Sequence, residues 1–150
     1  MKIIPAPFAI ERVTRATADL FSSAAIPIFT IGTGRILLFG FQGEVTSAIG
    51  TGTTPDLKFQ SNPTTGTTTD LCAALNVADD GAGTLYAMTG IITDALLRSE
   101  HGGIRDGLWG NPLIIPIGQI EAICDENVAG SMTVVVWWMP LDVGATLVTA

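Results

Sequence analysis

The sequence predicts an all-β antiparallel sandwich, and three observations predict it. Gly and Thr cluster at Ile31-Gly32-Thr33-Gly34, Gly50-Thr51-Gly52-Thr53-Thr54-Pro55, Asn62-Pro63-Thr64-Thr65-Gly66-Thr67-Thr68-Thr69 and Asp79-Asp80-Gly81-Ala82-Gly83, and clusters of this kind mark turns. Between them lie short segments rich in Ile, Val, Phe, Leu and Thr, recurring at the roughly 8 to 12 residue spacing of sandwiches and barrels. No segment sustains a long helical apolar stripe, so at most one or two short helical turns are expected.

Taken in order, residues 1 to 9 read as an extended N-terminal arm, because Pro5 and Pro7 each remove a ladder donor and bar the segment from a central strand. The arm is expected to lie along a neighbouring subunit. Residues 10 to 150 read as one sandwich domain, a length that supports a single sizeable core. Strands are expected over Glu11 to Asp19, Ile26 to Ile31, Arg35 to Thr46, Leu57 to Gln60 and Thr69 to Leu75. Further strands are expected over Leu85 to Thr93, Leu113 to Ile117, Gln119 to Cys124 and Met132 to Met139. Helices are poorly supported: Ala16 to Ala25 and Thr93 to Glu100 could each form one or two turns, but neither sustains a long apolar stripe.

Two of these strands carry most of the information. In Gln119 to Cys124, the residues Ile120, Ala122 and Cys124 share one face and Gln119 and Glu121 the other, so one face meets the core. In Met132 to Met139 both faces are apolar, with Met132, Val134, Val136 and Trp138 on one and Thr133, Val135, Trp137 and Met139 on the other. A strand apolar on both sides is covered on both sides, and the second cover is often another subunit. Trp137, Trp138 and Met139, with Pro5, Pro7 and Phe8 of the arm, are therefore the expected interface residues.

Composition points the same way. Hydrophobic residues make up 47% of the chain and charged ones 14%, against roughly 25% charged in ordinary globular domains. With a mean hydropathy of +0.47, one small fold cannot hide all its apolar surface, and association is expected. The longest apolar run, Val134 to Leu141, is far shorter than the roughly 18 residues of a spanning helix, and Pro5, Pro7, Glu11 and Arg12 interrupt any secretion signal. A membrane partner and export are not expected. The net charge of −7, with seven Lys and Arg scattered along the chain, argues against direct nucleic-acid binding.

Chemistry-bearing residues are sparse. Cys72 and Cys124 sit among apolar neighbours and read as free core thiols of a reducing compartment. A lone histidine, His101, lies in the glycine-rich Ser99-Glu100-His101-Gly102-Gly103; with Ser99 and Asp106 it could form a hydrolytic set, but no Gly-x-Ser-x-Gly elbow is present and a loop is expected. Asp79-Asp80-Gly81 and Asp125-Glu126-Asn127 miss the calcium-loop pattern and read as solvated turns. No ligand spacing for a metal and no phosphate-cradling loop is found, so neither a cofactor nor catalytic residues are expected.

The C-terminal stretch Gly118-Gln119-Ile120-Glu121-Ala122-Ile123-Cys124, then Gly130-Ser131-Met132-Thr133, then Trp137-Trp138-Met139-Pro140-Leu141-Asp142-Val143-Gly144-Ala145 resembles the ending of small virion proteins of tailed bacteriophages. The resemblance implies a capsid decoration (cement) or head-fibre protein with a jelly-roll-like sandwich, commonly a homotrimer seated on the major capsid protein, made in the bacterial cytoplasm and without catalytic residues. A receptor-binding, lectin-like trimer is the alternative that would suit the same fold. Apolar Val143, Leu147 and Val148 leave open whether the tail packs internally or reaches a neighbour.

Overall fold

The computed structural model describes residues 9–150, so the predicted arm, with Pro5, Pro7 and Phe8, lies outside the described residues except for Ala9. Twelve strands form in order: β1 (Glu11–Ala18), β2 (Ile26–Gly32), β3 (Ile36–Ser47), β4 (Asp56–Pro63), β5 (Thr69–Asp70), β6 (Leu75–Asn76), β7 (Leu85–Ala87), β8 (Leu97–Ser99), β9 (Leu113–Ile115), β10 (Gly118–Cys124), β11 (Ser131–Pro140) and β12 (Thr146–Thr149). The one helical element among the described residues is a 3-10 turn over Gly107–Trp109.

The strands make two antiparallel sheets. The first runs β1-β11-β3-β7-β8, with β9 also on β3; the second runs β12-β2-β10-β4-β5, with β6 also on β4. The pairings are nested: β1 with β11, β2 with β10, β3 with β7, and β4 with β5 and β6. A long hairpin has thus been wrapped so that successive arms alternate between the sheets, which is the jelly-roll order.

Alternating side chains put one face of each sheet inward. From β11 come Met132, Val134, Val136 and Trp138, all buried, and from β3 Ile36, Leu38, Phe41 and Val45. The second sheet answers with Phe29 and Ile31, Leu57 and Phe59, and Ile120 and Ala122. Phe41 and Phe59 meet across the gap with ring centroids 4.6 Å apart. Each such side chain withdrawn from water contributes roughly 1.5–3 kcal/mol before entropy is subtracted. Cys72 and Cys124 are both buried and free, in agreement with the sequence reading.

Several expected boundaries shift. Thr69 to Leu75 is not one strand but two short ones, β5 and β6, and the strand beginning at Leu85 ends at Ala87. Thr93 to Glu100 is not helical; Leu97–Ser99 pairs with β7 as β8, and pairing outweighs the helix preference of Ala95, Leu96 and Leu97. Ala16 to Ala25 forms no helical turn either. Asp19 instead accepts a hydrogen bond from the Phe21 amide at 3.1 Å, a local turn that lets Leu20 and Phe21 drop into the core.

The tail packs on its own molecule. β12 pairs with β2, and Ala145 and Leu147 are buried. The corner before it is latched by Asp142, which accepts from Arg35 Nε at 2.9 Å, from Arg35 Nη2 at 2.8 Å and from the Arg35 amide at 2.8 Å. Those donors hold the Asp142 carboxyl well below the usual carboxylate range.

Candidate interaction surface

The outward faces of the two sheets differ in kind. On the second sheet, Glu121 accepts from Gln60 Nε2 at 2.7 Å and from Asn62 Nδ2 at 2.8 Å, and Lys58 pairs with Asp70 at 3.0 Å. On β10, β4 and β5 this face is a ladder of amides and charges whose polar groups satisfy one another, while at its β12 edge Val148 is 55% exposed.

The first sheet presents an aromatic and apolar face instead, built around a bulge in β3. Trp137 lies opposite Gly40 while Trp138 lies opposite Leu38, so Phe39 is an extra residue on β3. Phe39 and Gly40 together oppose Trp137. The ring of Trp137 folds over Gly40, where an added Cβ would come within 2.8 Å of Trp137 Cε3 and 3.2 Å of Trp109 Nε1. Only glycine leaves room for both rings.

Trp109 is carried there by the 3-10 turn, and Asp106 fixes that turn. Its Oδ1 accepts from the Leu108 amide at 3.1 Å, capping the turn, and its Oδ2 accepts from the Phe41 amide at 2.8 Å, tying the turn to β3. Gly107 permits the approach, since a Cβ there would meet the Met88 and Thr89 backbone at 2.6–2.8 Å. Burial raises the Asp106 carboxyl above its ordinary value, and the two amides only partly counter it. Trp109 then stands 6.1 Å from Phe39 and 6.4 Å from Trp137, centroid to centroid. The Arg12 guanidinium sits 6.0 Å from the Trp137 centroid on the other side, within reach of a cation–π attraction.

A second row lies beside this cluster. Met139 pairs with Leu37, and Leu37 with Ile114 of β9; Ile10 precedes Glu11, the partner of Trp138, and so falls next to Met139. The row Ile10, Met139, Leu37, Ile114 runs from the residue before β1 across β11, β3 and β9. Ile10 is 49% exposed, Ile114 60% and Trp109 52%, an unusual concentration of large apolar side chains on the outside of one sheet.

Of the residues read from sequence as interface, Trp137 and Met139 lie on this face. Trp138 does not: at 3% exposure it belongs to the core of its own chain, because alternation in β11 sends it inward beside Leu38. Its indole Nε1 is buried without a hydrogen-bond partner. Ile10, Leu37, Phe39, Trp109 and Ile114 were not legible as members of the face, since cross-strand register and the bulge bring them together.

The residues considered for chemistry are dispersed. Asp106 spends both oxygens on the turn, while His101 is an exposed loop residue lining a polar cavity of about 540 Å³ with Asn76, Asp79, Asp80, Arg98 and Glu100. Ser99 donates to the Gly102 carbonyl at 3.4 Å. Asp80 is not a solvated turn residue as expected. It is 4% exposed, accepts from the buried Tyr86 hydroxyl at 2.5 Å and from Arg98 Nη1 at 3.1 Å, and thereby pins the loop before β7. Burial and the bond to Asp80 push the Tyr86 hydroxyl far above its ordinary value. Glu126 likewise anchors a loop, accepting from the amides of Thr53 and Thr54 at 2.9 Å each. Among the described residues no group of acidic, His and Cys side chains is arranged to hold a metal ion, and no helix is long and apolar enough to cross a membrane.

The chain matches no family model, no curated protein and no solved structure.

Proposed function

We propose that the chain is a structural, non-enzymatic protein that works by association: an oligomeric decoration (cement) subunit of a tailed-bacteriophage head, assembled as a homotrimer on the major capsid protein. The aromatic face of the first sheet is the observation that carries this reading. A sheet face presenting Trp109, Trp137, Ile10 and Ile114 to water has the composition of the core of a protein interface, rich in aromatic residues and poor in charge. The opposite face, with its self-satisfied polar ladder, suits the outside of an assembly. The resemblance of the C-terminal stretch to small virion proteins supplies the class of assembly. In this reading the subunit sits on the capsid surface.

The test is binding of the purified protein to capsids stripped of accessory proteins, measured by co-sedimentation. Wild-type protein should pellet with the shells, and Trp137→Arg with Ile114→Arg should stay in the supernatant while keeping its far-UV circular dichroism. Wild-type protein that never pellets would overturn the reading.

The polar cavity around Arg98 and His101 favours a second reading, a fibre module that binds a host glycan. Glycan-array binding that is lost in Arg98→Ala would support it, whereas shell binding without any sugar binding would exclude it.

A further inference from the structure

We infer that the cleft between the 89–91 loop and the turn carrying Trp109 docks a segment of another protein that presents a large apolar side chain beside a carboxylate. The cleft measures about 360 Å³ and is lined by Ile91, Leu97, Arg105 and the two glycines that bracket the turn, Gly107 and Gly110. Its volume falls in the ordinary range of binding clefts, roughly 300–1,000 Å³.

The walls are tied together before anything binds. Asn111 Nδ2 donates to the Thr89 carbonyl at 3.3 Å, and the Gly107 amide donates to the Met88 carbonyl at 2.8 Å. Gly90 takes a φ of +85°, where a Cβ would strike the Asn111 backbone. A site held open in this way needs little ordering when it is filled. Its apolar lining continues past the rim, since Ile91 is 52% exposed and Ile92, outside the cleft, is 48% exposed. A small acid would leave Ile92 bare, whereas an extended segment covers both side chains.

Charge defines the rest of the occupant. Of the six Lys and Arg side chains among the described residues, Arg35, Lys58 and Arg98 are in ion pairs, Arg12 stands over Trp137 and Arg15 has its Nε buried. Arg105 is exposed and has no carboxylate within 4.0 Å among the described residues. Its neighbour Asp106 cannot supply one, because both oxygens accept from the Leu108 and Phe41 amides. A guanidinium lining an apolar cleft suits a carboxylate, which it meets in a forked, charge-assisted contact. The net charge of −7 repels polyanions, so a single carboxylate in an apolar segment fits better than a nucleic acid.

The test is selection from a phage-displayed library of random heptapeptides on immobilised full-length protein, with Arg105→Glu and Ile114→Arg variants of unchanged far-UV circular dichroism as parallel targets. The expected result is enrichment, on wild type and on Ile114→Arg, of peptides with a large apolar residue next to Asp or Glu. A synthetic peptide of the enriched sequence should bind Arg105→Glu about tenfold or more weakly in fluorescence polarisation. Its Gln or Asn analogue should bind wild type with a similar loss. Enrichment of peptides without a carboxylate, or equal binding to Arg105→Glu, would overturn the inference. Binding lost in Ile114→Arg but kept in Arg105→Glu would place the peptides on the aromatic face, defeating the inference and leaving the association reading intact. No enrichment over the bare surface, as for a cleft already filled by a second copy, would defeat it too.

Discussion

The ring of Trp137 packs over Gly40, closing the space where a Cβ would come within 2.8 Å of its Cε3. That one contact joins the sequence to the surface, because a glycine in the middle of a long strand is what lets two tryptophans gather outside a sheet. Gly40→Val should therefore displace Trp137 and Trp109 and cost about 1–3 kcal/mol. Chemical denaturation measures the loss, and near-UV circular dichroism should report the changed indole packing.

Trp137 and Trp138 are adjacent in sequence and should respond in opposite ways to substitution. Trp138→Ala opens a cavity in the core and should cost roughly 3–5 kcal/mol. Trp138→Phe should cost much less, since it also removes an indole donor that has no partner. Trp137→Ala should leave the fold within about 1 kcal/mol of wild type and weaken association. Equilibrium unfolding beside sedimentation velocity separates the two effects.

Asp106 should matter to the face more than to the core. Asp106→Ala strips the acceptors from the Leu108 and Phe41 amides, at about 1–2 kcal/mol, and frees the turn that carries Trp109. Faster amide exchange over Gly107–Trp109 than elsewhere would show it.

High pH should destabilise the protein through Cys72. Its thiol is pushed from 9.0 up to about 11, chiefly by burial, so the folded state holds the proton more tightly than the unfolded state does. The resulting stability is complete below pH 9 and is lost as pH climbs towards 11. Two pH units correspond to about 2–3 kcal/mol. Tyr86, raised in the same direction, extends the loss to higher pH. Thermal melts of wild type and Cys72→Ala across this range should converge as pH rises.

Acid should act on the other latch. The Asp142 carboxyl is held low by Arg35, so its contribution is present above its ordinary 3.8 and fades as pH falls below that. Asp142→Asn should be less stable than wild type at neutral pH, and the gap should narrow in acid.

How far the sequence reads on its own can be seen in β11. Its alternation makes both faces apolar, but periodicity cannot say which face meets the core, so the sequence alone groups Trp138 with Trp137. The jelly-roll order entered through a resemblance, and the nested strand pairings supply its structural basis. Ile10, Leu37 and Ile114 come from three distant segments, and only register places them in one row with Met139. The turn carrying Trp109 was hidden because Asp106-Gly107 reads as an ordinary loop until its acceptors are matched to Phe41 and Leu108. In Leu97–Ser99, strand pairing prevailed over local helix preference. The short strand Thr146–Thr149 is not legible in the sequence, because four residues carry too little alternation to register.

The most direct measurement is the light-scattering mass of purified wild type beside the Trp137→Arg, Ile114→Arg double variant. A multiple of the 15.6 kDa chain for wild type and a folded 15.6 kDa species for the variant is the expected outcome. A wild type that stays a stable, soluble 15.6 kDa monomer and associates with nothing would contradict the account.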